Sequence, residues 1–133
     1  VTSVFCDTSV LIRYLAEDDI PRAVAAAALI DSDTTLVIST GVMLEAIHVL
    51  RTEYQVSNPV LAQALIGLLS RPNVQLTDAD KSGVIAAIYW TRDASARRIP
   101  DAIIAAAARQ ARVDYIATFD ERMSSPTVPV RML

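Results

Sequence analysis

The chain has 133 residues, 53% of them hydrophobic and 20% charged, with three glycines and six prolines. That length suits one domain, and the composition excludes disordered, collagen-like and low-complexity architectures. A formal net charge of −3 excludes a strongly basic nucleic-acid-binding domain at the level of the whole chain, so any function on nucleic acid has to account for that acidity. The single cysteine, Cys6, cannot close an intrachain disulfide, as is usual in a reducing compartment. The most apolar stretches, Ala23–Ile30 and Ala102–Ala108, fall short of the roughly 20 residues a membrane-spanning helix needs. No basic-then-apolar leader opens the chain. The expectation is a cytoplasmic protein with no membrane partner.

In chain order, Ser3–Cys6 reads as a short buried strand. Asp7, Thr8 and Ser9 are helix-capping residue types ahead of a helix over Val10–Leu15. Ile20–Ile30 is predicted as a second helix, with Pro21 tolerated in its first turn. Leu36–Ile38, rich in β-branched residues, reads as a strand. Helices are predicted from Val42 to Glu53 and from Pro59 to Ser70, with a strand at Val74–Leu76. Asp78 or Asp80 starts a helix through Tyr89, and Arg92–Arg98 is a polar loop or frayed helix end. Pro100 opens a helix over Asp101–Arg112, followed by strands at Tyr115–Thr118 and Val128–Met132. Strands separated by helices imply an α/β domain over residues 1–133, with a mostly parallel central sheet of about five strands flanked by helices.

In such sheets ligands bind beyond the carboxyl ends of the strands. The scattered glycines, Gly41, Gly67 and Gly83, write neither a dinucleotide fingerprint nor a P-loop, and no Gly-x-Ser-x-Gly elbow is present. Four carboxylates fall at the predicted edge: Asp7 after the first strand, Glu45 early in the helix after the second, Asp101 opening a late helix, and Asp120 after the fourth strand. Convergent carboxylates repel one another, and divalent cations relieve that repulsion. An all-oxygen set suits Mg²⁺ or Mn²⁺. Each acid also has a simpler use. Asp7 suits a helix cap, Asp101 the positive end of a helix dipole and Asp120 a surface turn. Glu45, His48 and Thr52 form a narrow polar stripe on an otherwise apolar helix. Coincidence of all four at one edge favours a shared site. Glu45-x-x-His48 matches one half of a di-iron bundle motif, but the chain has one histidine and several strands. His48 therefore reads as packing or support, Cys6 as core, and Tyr89 and Trp90 as core or interface.

The run Asp7-Thr8-Ser9-Val10-Leu11-Ile12-Arg13-Tyr14-Leu15 resembles the opening of PIN-domain nucleases, especially the VapC-type toxins of toxin–antitoxin pairs. Val42-Met43-Leu44-Glu45, Pro100–Ala107 and Ile116–Met123 resemble the family's later acidic motifs, in order and across nearly the whole chain. The resemblance implies that Asp7, Glu45, Asp101 and Asp120 are the metal-binding catalytic acids, with Asp120 sometimes a supporting residue instead. It implies one or two Mg²⁺ or Mn²⁺ ions, RNA phosphodiester hydrolysis, a homodimer and a cognate antitoxin protein. Ser9 stands where the family often has Asn, and Met123 where it often has Phe. Thr8, Ser9 and Thr118 are candidates for orienting the acids or water by hydrogen bonds. Lys81 is the sole lysine, so arginine has to hold phosphate. Arg97 and Arg98 lead, with Arg92 nearby and Arg13 and Arg122 close to Asp7 and Asp120. Bound divalent ions would offset the net acidity, so RNA binding is expected to be weak without metal. Two alternatives stand beside this reading: a catalytically inactive PIN-like binding module, and a phospho-receiver-like signalling domain, which would want a lysine near the final strand.

Overall fold

A computed structural model of the chain describes residues 2–133. In order, the elements are β1 (Ser3–Phe5), α1 (Thr8–Ala16), α2 (Ile20–Ile30), β2 (Thr35–Ile38), α3 (Thr40–Thr52) and α4 (Asn58–Leu69). They continue with β3 (Val74–Leu76), α5 (Lys81–Thr91), α6 (Ile99–Ala111), β4 (Ile116–Thr118) and β5 (Val130–Met132). Helix starts follow local chemistry. The side chains of Asp7, Asp19, Ser39 and Asp80 each accept a first-turn backbone N–H, meeting donors that a helix start leaves unpaired. Pro21, Pro59 and Pro100 sit in first turns, where their missing N–H costs nothing.

β1, β2 and β3 form a parallel sheet in that order, with Val4 opposite Leu36 and Leu36 opposite Val74. β4 and β5 pair in parallel as a separate two-stranded sheet, Ile116 opposite Val130. The strand count and parallel pairing agree with the sequence, but the single sheet of about five strands does not: among the described residues no ladder joins β1 to β4. An apolar run marks a strand without naming its neighbour, and β4 offers only the small, exposed Ala117 between two half-buried residues. β5 begins at Val130 because Pro129 has no N–H to give, although its carbonyl accepts from the Ile116 N–H at 2.8 Å.

The core lies between the three-stranded sheet and the helices, where Leu36, Ile38, Met43, Ile47, Leu50, Leu65, Leu69, Ile88 and Ile99 are buried. α1 packs on α2 and α3, and α5 on α4 and α6. Two polar side chains tie the outer end of the sheet. The Asn73 amide donates to the carbonyls of Ile30, Ser32 and Thr34, and the Lys81 ammonium donates to those of Arg71 and Val74. No described helix is long and apolar enough to cross a membrane.

Candidate functional site

The alternation of an extended strand sends Cys6 inward and Asp7 outward: Cys6 is buried and Asp7 exposed. Asp7 then acts as the N-cap of α1, its Oδ2 accepting from the Ser9 hydroxyl at 2.9 Å and from the Ser9 N–H at 3.4 Å. The Ser9 hydroxyl, the Ser9 N–H and the Thr8 N–H together hold the Asp7 carboxyl below its ordinary pKa. Thr8 is buried, and its hydroxyl donates to Glu45 Oε2 at 3.2 Å. That bond links the start of α1 to α3 and fixes one oxygen of an otherwise exposed carboxylate. The Glu45, His48 and Thr52 stripe faces solvent along α3, while Met43, Ala46, Ile47 and Leu50 face the core.

Asp101 is the third residue of α6, and at 6% exposure it is the one carboxylate buried among the described residues. Its partner is Arg98, the residue before the helix, whose Nε donates to Asp101 Oδ2 at 2.8 Å. The same guanidinium reaches across with Nη2 to Asp120 Oδ2 at 2.7 Å. Asp120 is placed by the turn after β4: its own N–H donates to the Thr118 hydroxyl at 3.0 Å, and its Oδ1 accepts from the Arg122 N–H at 2.9 Å. The Arg98 hydrogen bond foremost, then the Arg122 N–H, hold Asp120 down to a pKa of about 2 against the opposing effect of burial.

The structure thus arranges the four acids as two linked pairs, Asp7 with Glu45 through Thr8 and Asp101 with Asp120 through Arg98. Among the described residues, no three carboxylate, imidazole or thiolate groups converge as ligands for one ion. The donor chemistry nevertheless fits a hard divalent cation. All four groups are carboxylates, the donor type such a cation takes, although the Arg98 guanidinium already neutralises two of them. Asp78, at the end of β3, is a further acid at this edge, but it is engaged as a cap, accepting from the Thr40 N–H at 2.9 Å and the Thr40 hydroxyl at 2.7 Å.

The arginines named from sequence occupy different settings. Arg97 lies 4.5 Å over the Trp90 ring and donates to the Trp90 carbonyl. Arg13 pairs with Asp18 at 3.2 Å and lies 3.4 Å from the Tyr54 hydroxyl. Arg98 borders an open cleft of about 400 Å³ with Leu44, His48, Arg51 and Pro100, and bonds to Asp101 beside it. A larger cavity, about 600 Å³, lies elsewhere between α5 and α6 and contains none of the four acids. Sequence reasoning nominated Arg98 for phosphate and missed its role as the bridge between acids. The signal was present in the i,i+3 spacing of Arg98 and Asp101 across a helix start.

The family model of the PIN domain matches residues 4–127, a span that holds all four acids, Arg98 and every helix. No curated protein matches the chain. With the match covering nearly the full length of a parallel α/β chain, the assignment follows: the chain belongs to the PIN-domain family.

Proposed function

We propose that this protein is a metal-dependent endoribonuclease, the toxin of a VapBC-type toxin–antitoxin pair, and that residues 1–133 act as one PIN unit. PIN domains are generally metal-dependent nucleases. The observation that carries the reading is the position of Asp7 after β1, Glu45 in α3, Asp101 in α6 and Asp120 after β4, four separate chain segments inside the matched span. Asp7, Glu45, Asp101 and Asp120 would hold Mg²⁺ or Mn²⁺, which supplies an activated water and neutralises charge on the phosphate. Ser9 keeps Asp7 ionised, Thr8 orients Glu45, and the Thr118 hydroxyl fixes the backbone of Asp120. No side chain needs to form a covalent intermediate. A cognate antitoxin over the acids, a homodimer and a cytoplasmic location belong to the same reading.

Cleavage of RNA by the purified protein with Mg²⁺ or Mn²⁺ tests it. Asp7→Ala and Asp101→Ala are expected to lose activity by about a hundredfold or more, since each removes a direct metal ligand. Unchanged cleavage in both variants would overturn the assignment. The competing reading, an inactive binding module, is favoured by the way Arg98 already satisfies Asp101 and Asp120. It predicts no cleavage of any RNA at any metal concentration.

A further inference from the structure

We infer that Arg98 is a built-in competitor for the metal: its guanidinium occupies the Asp101–Asp120 pair, and a divalent cation has to displace it. The inference rests on the metal-site reading above and adds to it a named residue that sets the affinity of the site.

Asp101 is buried, and a buried carboxylate without a counter-charge is costly. Arg98 is its one ion-pair partner among the described residues, and the same side chain closes on Asp120. Both acids present the Oδ2 atom to it, at 2.8 and 2.7 Å. Asp120 Oδ1 is meanwhile engaged by the Arg122 N–H. A cation held by this pair would share with Arg98 the carboxylates that now neutralise it, and a divalent ion and a guanidinium within a few ångströms repel one another. Arg98 has room to leave. It precedes α6 in an extended conformation, makes no capping bond to the helix backbone, and is 30% exposed beside the open cleft lined by His48 and Arg51. The fork geometry of arginine suits two carboxylates at once, which explains why the occupant is arginine, not lysine.

The test is Mn²⁺ binding by calorimetry, on chelator-treated protein at physiological salt, comparing wild type with Arg98→Gln and Arg92→Gln. Arg92 is exposed and bonded to no carboxylate among the described residues, so its variant removes the same charge without freeing the pair. Arg98→Gln is expected to bind Mn²⁺ about fivefold tighter or more, the usual scale of a coupling between two bound groups, and Arg92→Gln to stay close to wild type. Equal or weaker binding by Arg98→Gln overturns the competition and leaves the metal site standing. An equal gain in Arg92→Gln also overturns it, because net charge alone then explains the effect. Absence of Mn²⁺ binding in all three proteins overturns both readings. Should Arg98→Gln fail to fold, wild type carries the test: hydrogen exchange at the Arg98 Nε–H, followed by NMR, is expected to accelerate when Mg²⁺ saturates the site. Protection that persists at saturation contradicts displacement.

Discussion

Thr8 carries more of the site than its size suggests. It is buried at the start of α1, and its hydroxyl is the group that reaches Glu45 from the segment holding Asp7. Thr8→Val keeps the shape and removes that bond, so it is expected to lower RNA cleavage by about tenfold while leaving the unfolding midpoint nearly unchanged. A comparable loss of stability in urea would instead mark Thr8 as a packing residue. Its neighbour Cys6 is buried, and burial pushes its thiol pKa up. The reactive form is the thiolate, so native protein at pH 8 is expected to resist a thiol reagent that labels the unfolded chain at once. Rapid native labelling would contradict the inward orientation of Cys6. At this scale the sequence was informative where chemistry is local. The alternation that separates Cys6 from Asp7 and the capping character of Asp7 were both legible. The Thr8–Glu45 and Arg98–Asp120 contacts were not, because they join residues 37 and 22 positions apart and depend on how the elements dock.

Helices were the legible elements, because capping residues, early prolines and apolar spacing act within a few positions of one another. Ile20–Ile30 falls where the sequence places it, and α3 starts two residues earlier than expected because Ser39, not Thr40 or Gly41, supplies the cap. Pairing of strands was less legible, since three-residue ladders carry little pattern and the partner of each is set by tertiary docking. The position of α3 matters for Glu45, and two contacts hold its start: Ser39 to the Val42 N–H and Asp78 to Thr40. Replacing Ser39 with Ala is expected to cost about 1 kcal/mol in chemical denaturation. Truncating the fully buried Met43 on the same helix to Ala is expected to cost about 2–5 kcal/mol through lost burial and the cavity left behind. A loss below the capping value at Met43 would contradict its place in the core.

For the whole molecule, the net charge of −3 reads differently once the acids are located. Four of them fall in two linked pairs, Asp7 with Glu45 through Thr8 and Asp101 with Asp120 through Arg98, while Arg51 and Arg98 line a cleft beside the second pair. Under the proposed metal site, phosphate would meet repulsion from these carboxylates until the cation arrives. RNA binding and cleavage should accordingly share one dependence on divalent metal. The most direct test is cleavage of a structured RNA by chelator-treated protein as Mn²⁺ is restored. A metal-dependent site gives no cleavage without metal, recovery on titration, and no recovery in Asp101→Asn. Cleavage that proceeds undiminished in excess chelator, or recovery in Asp101→Asn equal to wild type, would contradict it.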